Sequence, residues 1–251
     1  MSHQGVQAIG ISNIPSIRSG DDICRQILLA LGTLETRLED GDIIVVASKI
    51  VSKAEGRVVI GSTVEISARA REIARDNAFD PIQVELALRE SNEVIRSKGV
   101  LITEARSGMV CNFSGVDKSN ALQGTYILLP VDPNASAKKL LEDMERESGK
   151  RLAVIISDTQ GRPWRRGSVN IAVGCAGIAP FKYNKGSSDL YGRILQRSTV
   201  CQVDEIASLA EPLMGQAGQG IPVVIIRGYP FLKEDGSAKD IIRPKNEDMF
   251  R

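Results

Sequence analysis

The chain has 251 residues, 42% hydrophobic and 25% charged, a globular composition long enough to bury a core without disulfides or structural metals. Lys and Arg number 32 against 31 Asp and Glu, for a net charge of +1, a balance that argues against a nucleic-acid partner but not against local basic pockets. The only histidine is His3, expected in a loose tail, which argues against a Ser-His-Asp triad, a histidine general base and a histidine-rich zinc site.

In chain order, Val6 to Ile11 is expected as a first strand ended by Pro15. Asp21 and Asp22 open an amphipathic helix to about Leu31, with acids complementing its positive end. Asp42 to Ser48 reads as a buried strand, followed by an extended stretch from Gly56 to Ile60. Ser67 caps a helix to about Ala78, and Asp80-Pro81 starts another with proline at its first position. Glu93 to Phe113 reads as three short strands separated by turns, and a further strand, Tyr126 to Leu129, ends at Pro130. Val131 to Asn134 caps a helix from about Ala135 to Ser148. Leu152 to Ser157 is a buried strand that would place Asp158 and Thr159 at its end, and Ser168 to Cys175 is a further candidate strand. Arg193 to Val200 leans towards strand. Asp204 to Met214 is helical, Gly215 to Gly220 a glycine loop, and Pro222 to Arg227 a strand. Helices and strands mix without strict alternation, which predicts α+β with mixed sheets and flanking helices. No repeat or linker divides residues 1–251.

Cys24, Cys111, Cys175 and Cys201 form no C-x-x-C and are expected as buried, reduced thiols of a cytoplasmic protein. The N-terminus lacks a basic-then-apolar leader pattern, and no apolar run spans a bilayer, so no membrane partner is expected. Any metal must then be a hard cation held by oxygen. Asp158-Thr159-Gln160-Gly161 is either a carboxylate and hydroxyl poised for such a cation beside a phosphate or simply a turn. Asp117 supplies a second acid if the fold brings it near. Met214 to Gly220 carries three glycines whose backbone N–H groups suit phosphate oxygens, or it is only a helix cap and turn. Arg162, Arg165 and Arg166 form either an anion clamp or a solvated loop with Trp164 packed inward. Lys49 and Lys53 either reach phosphates or lie on the surface.

Four segments occur together in order: Ser52-Lys53-Ala54-Glu55-Gly56-Arg57; Ser157 to Arg162 with Arg165-Arg166-Gly167; Asp189-Leu190-Tyr191-Gly192-Arg193; and Met214 to Pro222. From about Val6 to Gly228 the chain resembles the coenzyme F420-0:γ-glutamyl ligases (the CofE family), in the stand-alone form. The resemblance implies a CofE-like fold of two intertwined lobes and a cytoplasmic homodimer. It implies addition of one or more γ-linked L-glutamates to the deazaflavin F420-0 at the expense of GTP. The route would be an acyl phosphate, with release of GDP and phosphate. It also implies Mn²⁺ or Mg²⁺, as two ions, and raises a K⁺ requirement. Residue by residue, it implies Asp117, Asp158, Thr159 and Gln216 as metal ligands. The nucleotide contacts it implies are Ser12, Asn13, Ile14, Pro15, Ser48, Lys49, Lys53, Asn120 and the loop Met214, Gly215, Gln216, Ala217, Gly218, Gln219, Gly220 and Ile221. Lys49 departs from the small polar residue expected there. For the anionic acceptor or glutamate, Arg162, Arg165, Arg166 and Arg193 are the candidates. Asp158, Lys53 and Arg166 are the candidates for catalytic roles. A metal-dependent phosphohydrolase and a non-catalytic nucleotide-binding or assembly protein are the competing readings.

Overall fold

A computed structural model describes residues 5–250; His3 lies outside them. The first lobe is built on a five-stranded sheet. It begins with β1 (Gln7–Ile11), helix α1 (Ile23–Thr33) and β2 (Ile43–Ala47). Asp22 starts α1 by accepting the Arg25 amide at 3.0 Å, the capping role its position predicts. The chain then passes through a short helix, α2 (Ser48–Ala54), into a second lobe. The sequence predicts no element here, because a seven-residue segment whose apolar side chains are only Ile50, Val51 and Ala54 carries almost no helical period.

The second lobe comprises β3 (Val58–Ile60), α3 (Ala68–Asn77), α4 (Pro81–Arg89), the meander β4 (Ser91–Arg96), β5 (Ile102–Ala105) and β6 (Val110–Asn112), and β7 (Thr125–Ile127). β3 pairs antiparallel with β7, and β4-β5-β6 form their own antiparallel sheet. Its core joins Val84, Leu86, Leu101, Val116 and Tyr126. Ser67 and Asp80 cap α3 and α4 as expected.

The chain returns through α5 (Pro133–Ser148), whose first amides bond Asp132 Oδ1 at 3.1 Å. It then forms the hairpin β8 (Ala153–Arg162) and β9 (Arg165–Ala176), the small pair β10 (Phe181–Tyr183) and β11 (Thr199–Cys201), α6 (Gln202–Met214) and β12 (Val223–Arg227). The main sheet has the order β1-β12-β2-β8-β9, and only β2 and β8 run parallel. Alternate residues of its central strands feed two cores. Ile44, Val46, Val154, Ile156 and Ile225 face α1 and α5. Ile43, Val45, Ile155, Val224 and Ile226 face α6. Burial on both faces explains why these strands are continuous apolar runs. The mixed strand directions and separate sheets give the α+β class predicted.

Two expectations are corrected. The strand expected to end at Ser157 continues to Arg162, because β9 pairs with it as far as Arg162↔Arg165. Asp158 therefore lies within a strand, one residue past the last β2 pairing, Ala47↔Ser157. The strand expected over Arg193 to Val200 is confined to Thr199–Cys201. Upstream, Asp189 Oδ1 accepts the Tyr191 and Arg193 amides at 2.9 Å each and closes a turn instead.

Candidate active site

Strand direction gathers the site at one edge of the main sheet. β1, β2 and the paired part of β8 end there, and β12 begins there. The segments following or preceding those strand ends wall a cleft of about 370 Å³. Ile14 and Pro15 follow β1, Ser48, Lys49 and Lys53 come from α2, and Asp158 and Thr159 from β8. Met214, Gly215, Gln216, Ala217, Gly218, Gly220 and Ile221 come from the glycine loop, and Asn120 reaches in from the second lobe. Ser12, Asn13, Asp117 and Gln219 were expected alongside them but do not line this cleft. Gln219 instead braces the loop, its Oε1 accepting the Ala217 amide at 2.9 Å. Gly215 ends α6 at φ +66° and ψ 174°, a backbone conformation essentially confined to glycine, so the loop's fold requires it.

The two acids approach from different lobes. Ser48 donates to Asp158 Oδ1 at 2.7 Å. Lys49 Nζ pairs with Asp117 Oδ2 at 2.9 Å. Asp117 also accepts the Lys118 and Ser119 amides on Oδ1, at 2.6 and 2.8 Å, and the Ser119 hydroxyl on Oδ2 at 2.8 Å. Their environments separate them electrostatically. Burial raises the pKa of Asp158 and the Asp117 charge adds to it, while the Ser48 hydroxyl and the Lys49 ammonium oppose it. For Asp117, burial acts upward but is outweighed by the Ser119 amide and the Lys49 charge, so its carboxyl lies below the usual range. Burial and the Lys49 charge both lower the pKa of Lys53.

A hydroxyl-amide network continues from Asp158. Thr159 donates to Asn170 Oδ1 on β9 at 2.9 Å and accepts from Gln216 Nε2 at 3.0 Å, and Gln216 also donates to Glu211 at 2.7 Å. Asn170 is 5% exposed and was not singled out from the sequence. Its signal was a polar residue at an inward position of an otherwise apolar alternation, Asn170-Ile171-Ala172-Val173. Lys53 Nζ donates to the Asn120 carbonyl at 2.7 Å, and the Asn120 amide reaches the Ala217 carbonyl at 3.4 Å. This forms a strap across the cleft from α2 through the second lobe to the glycine loop.

The donors are carboxylate, hydroxyl and amide oxygens, the set that suits a hard divalent cation. Among the described residues no three His, Cys, Asp or Glu cluster as a ready-made cage. Mg²⁺ suits such a site, because it keeps several waters and uses one or two carboxylates with substrate phosphates. The donor set accordingly fits a metal shared with a phosphate-bearing ligand, and Lys49 pairs with one of its acids.

The four arginines lie elsewhere. Arg162, Arg165 and Arg166 are at the tip of the β8–β9 hairpin, with Trp164 79% exposed between them. The Arg162 guanidinium caps its own hairpin, bonding the Gly167 and Arg166 carbonyls at 3.2 and 3.0 Å. Trp164 does not pack inward; it lies 5.5 Å from the Phe250 ring. Arg193 is in the loop between β10 and β11. None of the four lines the cleft.

Residues 11–228 match the family model described as F420-0:Gamma-glutamyl ligase. The chain is 46% identical over 250 residues to a protein of Methanothermobacter thermautotrophicus named coenzyme F420:L-glutamate ligase, covering 98% of this chain and 99% of that one. A protein of the same name from Methanocaldococcus jannaschii is 43% identical over 98% of this chain and 97% of its own length. A third, from Archaeoglobus fulgidus, is 41% identical over 98% and 96%.

Proposed function

We propose that this chain, which belongs to the F420-0:γ-glutamyl ligase family, is a coenzyme F420:L-glutamate ligase driven by GTP. The observation that carries the reading is a cleft that gathers Asp158, two lysines and a glycine loop at one sheet edge, with Asp117 held beside it by its ion pair to Lys49. In phosphoryl transfer the enzyme's task is positioning and charge neutralisation, which needs no histidine.

The backbone amides of the glycine loop hold the nucleotide's phosphates, and Lys53, facing Asn120 across the cleft, lies beside them. Asp117, Asp158, Thr159 and Gln216 would hold Mn²⁺ or Mg²⁺, which would supply charge neutralisation for the transferring phosphoryl group. A carboxylate oxygen of the acceptor attacks the γ-phosphorus. The bond from that phosphorus to the β,γ-bridging oxygen breaks, and GDP leaves. The amine of L-glutamate then attacks the acyl carbon. Phosphate departs, the amine proton passes to solvent, and an amide remains. Burial and the neighbouring Lys49 charge lower the Lys53 pKa, and an anion bound beside the ammonium would oppose that shift.

A cytoplasmic homodimer completes the proposal. Leu190 and Tyr191, 99% and 95% exposed on the loop between β10 and β11, support a subunit contact there. Four free cysteines support a reducing compartment. Among the described residues no helix is long and apolar enough to cross a membrane.

The test is GDP release from GTP with Mn²⁺, omitting F420-0 and L-glutamate in turn. A ligase needs both and adds one glutamyl mass to the deazaflavin. Equal GDP release without either, and no conjugate, would mean the phosphohydrolase instead.

A further inference from the structure

The nucleotide cleft accounts for one substrate, and the four arginines leave the acceptor without a seat. A second cavity of about 310 Å³ lies beyond the outer edge of β9. Its walls include Met109, Ile171, Val173, Ile242 and Phe250, and Gln160, whose amide donates to the Val110 carbonyl at 2.8 Å, stands on its polar side. Apolar walls with few polar groups are the usual form of a small-molecule site. Asn134, Asp204 and Lys239 also border it but are occupied structurally. Asn134 Oδ1 accepts the Cys175 and Ala238 amides, Asp204 accepts the Ala172 amide, and Lys239 pairs with Asp132. Arg243, exposed at its rim, makes no ion pair among the described residues.

The cavity and the reaction centre border a common small recess. A neck of about 60 Å³ shares Met109, Gln160, Ile171 and Val173 with it. The same neck shares Asp158 and Thr159 with the nucleotide cleft. Strand alternation explains the path, since Asp158 and Gln160 are two residues apart on β8 and lie on one face. At about 60 Å³ the neck is too small to hold a fused ring system and suits an extended chain. The coenzyme has that form, a planar deazaflavin at one end and the reacting carboxylate at the end of a flexible phosphate-bearing arm.

We propose that the cavity beside β9 seats the acceptor's deazaflavin rings, with the arm threaded through the neck so that the carboxylate ends at Asp158. Phe250 supplies the ring-facing wall, and Arg243 the cationic rim. The assignment rests on the ligase reading above. A third cavity, lined by Ser16, Arg18, Ser19 and Leu122 on the far side of the Lys53–Asn120 strap, is the competing location.

The test is equilibrium binding of F420-0, followed by its own fluorescence, to full-length wild-type protein and to Ser107→Trp, Phe250→Ala and Leu122→Asp. Ser107 lies in a turn at the cavity wall, so tryptophan there fills the cavity without entering a packed core. Ser107→Trp should weaken F420-0 binding about tenfold or more and Phe250→Ala about fivefold, each with GTP affinity unchanged. Leu122→Asp should leave F420-0 binding intact. Normal F420-0 binding by the first two variants, or loss in the third alone, would overturn the assignment. Wild-type protein that binds GTP but never F420-0 would instead remove the ligase reading itself.

Discussion

Lys49→Met asks what the ammonium between the lobes does. The side chain pairs with Asp117 Oδ2 at 2.9 Å and opposes the raised pKa of Asp158. Methionine keeps much of the length and removes the charge. In the wild type a divalent cation reaching Asp117 must break that pair. The pair's worth lies between about 1 kcal/mol for a solvent-screened pair and about 3 kcal/mol for a charge-assisted hydrogen bond. The side chains are 23% and 42% exposed, which places the value nearer the lower bound. Removing the competitor should therefore tighten Mn²⁺ binding by about 5- to 30-fold, at roughly 1.4 kcal/mol per factor of ten. The assay is titration of free aqueous Mn²⁺, read by electron paramagnetic resonance, in protein without nucleotide. Mn²⁺ affinity that is unchanged or weaker in Lys49→Met would refute the view of Lys49 as a counter-cation.

Three further outcomes follow from particular contacts. Arg227 grips Asp42, which is 1% exposed, through Nε at 2.8 Å and Nη2 at 2.7 Å; Arg227→Met leaves that buried acid with no cation and only the Glu39 amide and should cost about 3 kcal/mol in urea unfolding. The Asp158 carboxyl is held above its usual range by burial, so its charge burdens the folded state above the folded pKa and ceases to matter below the unfolded value. Asp158→Asn should thus raise Tm near neutral pH by about 2–4 °C per kcal/mol relieved, give no gain at pH about 3.5, and abolish ligation. Tyr126 donates to Asp80 at 2.6 Å and its pKa is pushed up to about 12. Tyr126→Phe should cost about 1–2 kcal/mol. That difference should be full below pH 10.0 and should fade as pH rises through about 12, where the wild-type phenol ionises.

The sequence was most legible where structure is local. Ser67, Asp80 and Asp132 are each within three residues of the amides they cap, so their helices could be placed from spacing alone. The apolar strands β2 and β8 declared themselves by composition. Contacts between distant residues were not legible. Ser48 and Asp158 are 110 positions apart, and nothing along the chain states that they touch. The placement of the arginine cluster was not legible for the converse reason. Charge density near Asp158 in sequence resembled an anion clamp, but the hairpin carries those residues along β8 and away from the cleft. Asn170 was overlooked because its role exists only through its partner across the ladder, Thr159.

The parallel pairing of β2 with β8 also governs how the molecule comes together. Segment 48–152, which includes the entire second lobe, must be threaded out and back before Ala47 meets Ser157. Closing a flexible loop of that length carries an entropic cost of about 4 kcal/mol, and such late-rewarded contacts slow folding. A second lobe that gathers its own core around Leu101 first shortens the effective loop. Damage far from the cleft, in α3 or α4, should then appear as slow assembly of the main sheet before it appears as lost chemistry.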